Sequence, residues 1–190
     1  VYPEPTVLVL SVNVGTPALL GTAGGAPVVS GIVKSPVRGP VRVVRNNLEG
    51  DRQADLRVHG GEEKAVYLYP SEHYAHWRGV FPHRSLEWGA FGENLTTEGL
   101  IETGVHQGDR LRIGSAELEV TRPRFPCSKL ALRFGTDRMV RWFLDSGRTG
   151  FYLKIREEGV LQSGDPITLR PGSPRGPRLD ALVRARQASD

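Results

Sequence analysis

Arg110-Leu-Arg-Ile-Gly-Ser-Ala-Glu-Leu-Glu-Val120 is the stretch that decides the fold. Leu111 and Ile113 alternate with Arg110 and Arg112, and Leu118 and Val120 alternate with Glu117 and Glu119, the period of a strand with one apolar face. Gly114-Ser115 falls where a tight hairpin needs a positive backbone angle, which glycine adopts without a Cβ clash. Outward Arg and Glu side chains can pair across the two strands, so the segment reads as a half-exposed antiparallel ribbon. Similar short apolar runs occur at residues 7–14, at Val41–Val44, at 65–69 ended by Pro70, at 150–155 and at 167–169. The 23 glycines and 14 prolines are spread between them as the punctuation of many short strands. Gly108-Asp109 and Gly164-Asp165 each hand the chain into an alternating run, which hints at two equivalent barrel corners. Helical pattern is scarce: 71–78 with Ser71 as cap and Glu72 in the first turn, Ser128–Phe134 ending at Gly135, and 137–144. The last has Asp137 as cap and Met139, Val140, Phe143 and Leu144 on one face. The expected fold is mainly β, a barrel with a few short helices.

The length of 190 residues fits one domain, expected over 1–170, with a Pro/Gly/Arg-rich tail over 171–190. A single Cys excludes an internal disulfide, a Cys-rich zinc site and an iron–sulfur cluster. Of the net charge of +4, the five arginines from Arg170 onward, against Asp180 and Asp190, supply +3. The body is therefore close to neutral, a poor electrostatic match for nucleic acid. The stretch 170–178 has too little apolar area to order itself, whereas 179–188 has a short helical pattern. The apolar run at 7–14 is broken by Ser11 and Asn13, is far short of a membrane span and follows nothing basic. No membrane association and a cytoplasmic location are the expectations.

Among the candidate reactive groups, His73 and His76 are three apart but lack an HExxH pattern or a third ligand, so a solvated helix is the better reading. His83 and His106 stand in polar loops without an evident partner. His59-Gly60-Gly61-Glu-Glu-Lys64 admits two readings. Its backbone N–H groups and Lys64 can cup an anion, or the two glycines simply make a turn into the next strand. Glu93 and Asn94, in Phe91-Gly-Glu-Asn-Leu95, suit either an amide-bearing heterocycle or a closed turn. The strongest local feature is Arg122-Pro-Arg-Phe-Pro-Cys-Ser-Lys129. Cys127 directly precedes a helix and is flanked by Arg122, Arg124 and Lys129, all of which favour thiolate over thiol. The competing reading is a small buried hydrophobe.

Taken in order, several of these segments resemble the MOSC domain, the module named for the C-terminal part of molybdenum-cofactor sulfurase, and its free-standing YiiM-like branch in particular. They are Gly31-Ile-Val-Lys-Ser-Pro-Val37, Gly50-Asp-Arg-Gln-Ala-Asp55, His59-Gly-Gly61 with Lys64-Ala-Val66, Phe91-Gly-Glu-Asn-Leu95, Gly108-Asp109, Arg122-Pro-Arg-Phe-Pro-Cys127 and Gly164-Asp165. The resemblance implies a twisted, closed β-barrel of MOSC type that binds the molybdenum cofactor (molybdopterin), with Cys127 as the protein ligand to molybdenum or as a carrier of sulfur. It implies reduction of N-hydroxylated compounds, such as hydroxylamino base analogues, to their N–H forms. It also implies roles for His59, Gly60, Gly61, Lys64, Arg122, Arg124 and Lys129 at the pterin phosphate and nearby anionic groups. Glu93 and Asn94 would line the pterin or substrate face. Electrons would come from a separate donor protein, since no cluster-binding cysteines are present. The alternative is a sulfur carrier or cofactor chaperone that holds a persulfide on Cys127 without turnover. The family's C-terminal helical region is expected to be shortened here, and no pyridoxal-phosphate domain is expected before the barrel.

Overall fold

The structure, a computed structural model, describes residues 7–54 and 61–189. In chain order the first strands are β1 (Leu8–Val14), β2 (Ala18–Ala23), β3 (Ala26–Ser30), β4 (Ser35–Val37), β5 (Val41–Val44) and β6 (Asn47–Leu48). After them come β7 (Val66–Pro70), β8 (Leu95–Glu98), β9 (Arg110–Ile113), β10 (Ala116–Pro123), β11 (Phe151–Glu157), β12 (Gly159–Leu161) and β13 (Ile167–Arg170). The helices are α1 (Tyr74–Val80), α2 (Ser128–Phe134), α3 (Arg138–Asp145) and α4 (Leu179–Gln187).

The opening ribbon folds as its alternation dictates. β9 and β10 pair antiparallel with Leu118 opposite Leu111, and all four apolar side chains of the pattern are buried. Gly114 has φ +55°, and a Cβ there would stand 2.2 Å from Val160 O, so the turn excludes larger residues on two counts. The ribbon is not an edge, however. β13 pairs with β9 on one side and β11 with β10 on the other, giving the order β13-β9-β10-β11-β7-β8-β1-β4. Only the β7–β8 pairing in this sheet is parallel. The sheet curls until its ends meet: Val9 N–H donates to Asp165 O at 3.0 Å, Gly164 N–H to Val9 O at 2.7 Å and Ile167 N–H to Val7 O at 2.8 Å. The mainly-β, barrel-like architecture expected from the sequence is the one found.

The two Gly-Asp turns are geometrically alike. The Asp109 carboxylate accepts from His106 N–H and the Asp165 carboxylate from Gln162 N–H, each at 2.9 Å and three residues back. They deliver β9 and β13, which pair side by side. The helix caps depart from expectation. Residues 71–73 form a 3-10 turn that satisfies its own backbone, and Ser71 makes no capping bond. Glu72 instead accepts from Gly99 N–H at 2.6 Å. Asp137 stands at the head of α3 without a side-chain cap, because Met139 N–H donates to Thr136 O in a backbone turn.

Two cores lie on opposite faces of β7. Val66 and Leu68 join the aliphatic barrel interior with Val12, Leu95, Leu111, Leu118 and Phe151. Tyr67 and Tyr69 point the other way, into an aromatic core with Tyr74, Trp77, Phe91, Phe134 and Phe143 that α1, α2 and α3 cover. A strand alternating between two buried faces shows no polar side, which explains the unbroken Val-Tyr-Leu-Tyr run.

The stretch 171–178 does not order itself; the barrel holds it. Buried Asp109 accepts from Gly172 N–H at 3.0 Å and from Arg175 Nε and Nη2, both at 3.0 Å. Leu179 and Val183 of α4 are then buried against the barrel. Burial alone would push the Asp109 carboxyl up, but the bonds from Arg175, Gly172 and His106 outweigh it and hold the carboxyl below its ordinary value. The stabilisation is therefore complete above the unfolded carboxylate value, about 3.9, and is lost as pH falls through the lower folded value. Asp109→Asn is expected to cost about 1–3 kcal/mol at pH 7, with the deficit narrowing at pH 3. Urea unfolding of both proteins at the two pH values checks this, and identical midpoints at pH 7 would refute the tether.

Candidate functional site

A cleft with about 650 Å3 of empty space opens beside the end of α2 and the 84–90 segment; a smaller one, about 590 Å3, gathers the chemistry foreseen from the sequence. Its walls come from four places. The end of β3 and the residues after it contribute Ser30, Gly31 and Ile32, and the outer face of β7 contributes Tyr67. The 91–94 turn supplies Phe91, Gly92 and Asn94, and the β10-to-α2 connection supplies Arg124, Cys127 and Lys129. Lys34, Gln53, Ala54, Lys64 and Tyr152 complete the lining. Gly92 has φ +83°, and a Cβ there would stand 2.7 Å from Ile32 Cγ1, so the wall closes only with glycine.

Cys127 is half-buried, faces this cleft and occupies the N-cap of α2 in an extended conformation. Pro123 ends β10, and Arg124 N–H still donates to Gly150 O at 3.1 Å, continuing the ladder for one residue before the chain turns outward. That sequence of strand end, proline and helix start is what carries the thiol to the surface of the cleft.

Arg124 is the unusual group. It is 5% exposed, its guanidinium carbon lies 5.3 Å from the Tyr67 ring centroid and 5.2 Å from that of Phe143, and Nη1 has no hydrogen-bond partner. No carboxylate neutralises it among the described residues. Burial alone would lower its affinity for the proton; the phenols of Tyr67 and Tyr152 and the sulfur of Cys127 more than offset this. The Tyr152 phenol is pushed up by burial, against the opposing charge and hydrogen bond of Arg124, so it stays protonated at neutral pH. Lys64 is pushed down by burial and by the nearby Arg122 charge, while Cys127 pulls it the other way.

The structure thus brings Lys64, Asn94, Arg124, Cys127 and Lys129 together. Exposed Arg122 stands close enough to act on Lys64 and Tyr152 through its charge. Gly61, at φ +91°, heads the short 3-10 turn that ends at Lys64. His59 and Gly60 lie outside the described residues. Glu93 does not line the cleft: it is fully buried and accepts from Tyr74 OH, Gly89 N–H, Phe91 N–H and Thr96 OH. Its carboxyl is raised by burial, although those donors oppose the shift. Asn94 borders the cleft but has spent its amide on the protein, accepting from Tyr67 N–H and donating to Asn13 O and Asp51. His73 is not solvated: it is buried, with Nε2 2.8 Å from Glu102 Oε2. Among the described residues no three His, Cys, Asp or Glu side chains converge on a metal position.

Sequence reasoning gave no role to Tyr67, Tyr152 or Lys34. The alternation on β7 and β11 was the available signal for the tyrosines, since each places a hydroxyl-bearing ring on the face opposite the barrel core. Lys34 and Asp51 form a buried ion pair, and both lay inside motifs already quoted.

This arrangement defines a curled β-barrel protein with a half-buried thiol facing a cleft that Lys64, Arg124 and Lys129 also line. The MOSC domain model matches residues 55–168, and the chain belongs to the MOSC domain family, in its YiiM-like branch. It is 45% identical over 168 residues to the Bacillus subtilis protein YflK, described as uncharacterized, covering 88% of this chain and 75% of that protein. It is 36% identical over 194 residues to a Gibberella moniliformis protein named Reductase, covering 98% of this chain but 34% of that protein. The crystal structure of YiiM from Geobacillus stearothermophilus superposes with a TM-score of 0.69 at 36% identity, over 86% of this chain and 75% of that one.

An unpartnered buried guanidinium N–H, two lysines and a soft sulfur donor in one cleft fit a cofactor that carries anionic groups and a thiophilic metal. Iodoacetamide is expected to give one adduct on the native protein, absent in Cys127→Ala. Lys64→Gln should slow that alkylation about threefold at pH 7, as expected from losing one nearby positive charge. Mass spectrometry over a time course measures both, and an unchanged rate would separate Lys64 from the thiol.

Proposed function

We propose that this MOSC protein binds the molybdenum cofactor in the Cys127 cleft and acts as an oxidoreductase on N-hydroxylated compounds. The observation that carries the reading is the pairing of a cleft-facing Cys127 with a buried Arg124 that no carboxylate neutralises among the described residues. Membership of a family named for molybdenum-cofactor sulfurase and likeness to a protein named Reductase support it. When bound, the cofactor supplies two-electron redox chemistry at molybdenum.

The chain's own residues then have distinct tasks. Cys127 Sγ is the protein ligand to the metal. Arg124, Lys64 and Lys129, with Arg122 at the rim, hold the phosphate and other anionic groups. Reducing R–NHOH to R–NH2 consumes two electrons and two protons and releases water, so a proton must reach the departing hydroxyl. Tyr152 Oη, at the cleft and protonated at neutral pH, is placed to hold such a proton. Asn94 positions rather than recognises, because its amide is fully used inside the protein. The electrons come from outside these 190 residues, whose one cysteine cannot build a relay cluster, and a separate donor protein is the proposed source.

Protein made in a host competent for the cofactor is expected to contain about one molybdenum per chain and to reduce a hydroxylamino base analogue with a chemical electron donor. Cys127→Ala should lose both properties, read by elemental analysis and by product formation. Full activity in that variant would remove the mechanism. A persulfide on Cys127, seen as a thiol-sensitive mass gain of one sulfur, together with no reduction, would assign sulfur carriage instead.

A further inference from the structure

The larger cleft is bordered by residues 34–36, by the 84–90 segment and by Arg133 and Phe134 at the end of α2. Lys34 borders both clefts, but its ammonium is committed to Asp51. The cations left to this cleft are Arg84 and Arg133. Arg84 is exposed and yet held in one place: its guanidinium carbon lies 4.7 Å from the Phe134 ring centroid, and Nη2 donates to Arg133 O at 2.8 Å. Arg133 is half-buried, with Nε donating to Ala90 O at 2.7 Å. Neither makes an ion pair among the described residues. The carboxylate at the rim, Glu87, accepts from Ser85 OH at 2.7 Å.

An exposed arginine ordinarily keeps most of its rotamer freedom, which is costly to lose. Here that freedom is lost to a ring face and a carbonyl, and the Arg84 charge lies close enough to Arg133 to act on it. Burial and then the Arg84 charge push Arg133 down, with Glu93 and Tyr74 opposing. An anion seated between two oriented forks would relieve that repulsion and use the N–H donors the protein leaves over.

We propose that this second cleft binds the phosphate of a phosphorylated small molecule, with Arg84 and Arg133 as its ligands. Two planar forks match the oxygens of a phosphate monoester, and Trp88 on the wall provides an apolar surface for the attached organic group. The site is distinct from the Cys127 cleft, and the assignment stands whether or not that cleft holds a molybdenum cofactor.

Titration calorimetry at low salt with inorganic phosphate, a nucleoside 5′-monophosphate and the unphosphorylated nucleoside tests the assignment without any enzymatic assay. The monophosphate and phosphate are expected to bind, and the nucleoside to bind far more weakly. Arg84→Gln should weaken phosphate binding about tenfold or more, and Arg84→Lys should keep part of it. Ser85→Asp, which adds a negative charge at the rim, should also weaken it and leaves both arginines in place. No binding of phosphate or the monophosphate at about 10 mM, equal binding of the nucleoside, or unchanged binding in Arg84→Gln and Ser85→Asp would each overturn the proposal.

Discussion

Asn94 is the pin on which the site's geometry depends. Its side-chain oxygen accepts from Tyr67 N–H at 3.0 Å, and its backbone N–H donates to Tyr67 O at 2.8 Å, so one residue makes both ladder bonds at the head of β7. Its carbonyl accepts from Asn13 N–H at 2.7 Å, and its amide nitrogen reaches Asp51 at 3.0 Å. Asp51 in turn pairs with Lys34 and accepts from Gly15 N–H at 2.9 Å. One buried chain of polar groups therefore joins β1, β7, β8 and the long connections between β3 and β7. Such a network has low tolerance for a missing member, because each unpaired group would keep its full desolvation penalty. Glu93, next to Asn94, ties the 89–91 turn and Tyr74 to the same corner.

The pin fixes β7, and β7 separates the two cores. Its aliphatic face closes the barrel, and its tyrosines begin the aromatic layer beneath α1, α2 and α3. Tyr67 OH donates to Thr149 O at 2.7 Å and Tyr69 OH to Arg148 O at 3.1 Å, so the rings are held at their outer ends as well. The Cys127 cleft forms at the margin of this aromatic layer. Arg124 enters there because Tyr67 and Phe143 offer ring faces to a guanidinium that would otherwise meet only hydrocarbon.

The legible part of the sequence was the local part. Residues 110–120 announced a hairpin because period, turn and charge all lie within eleven positions, and the Gly-Asp repeats marked two corners that turn out to be built alike. Cys127 before a helix was readable for the same reason. What escaped was pairing across distance. Glu93 and Asn94 looked equally suited to a ligand and to a turn, and only their contacts with Tyr74, Asp51 and Asn13 separate the two. The order of 171–178 was not visible from its composition, because its anchor, Asp109, lies more than sixty residues earlier. His73 looked solvated because nothing nearby in sequence marks Glu102 as its partner.

Two arginines on successive elements show how differently a positive charge can be accommodated. Arg133 keeps contact with water and with a backbone carbonyl, so its burial is partial and its repulsion from Arg84 tolerable. Arg124 is nearly sealed and, among the described residues, has no carboxylate partner and leaves one N–H without an acceptor. A buried ion without a counter-ion is among the most costly arrangements a fold can hold, and ring faces and phenol oxygens offset only part of that cost. A fold selected for stability alone would place an apolar side chain between Tyr67 and Phe143. The guanidinium makes physical sense beside a site where negative charge arrives, and the sulfur of Cys127 and an anionic ligand in the same cleft are groups able to bring or hold it there.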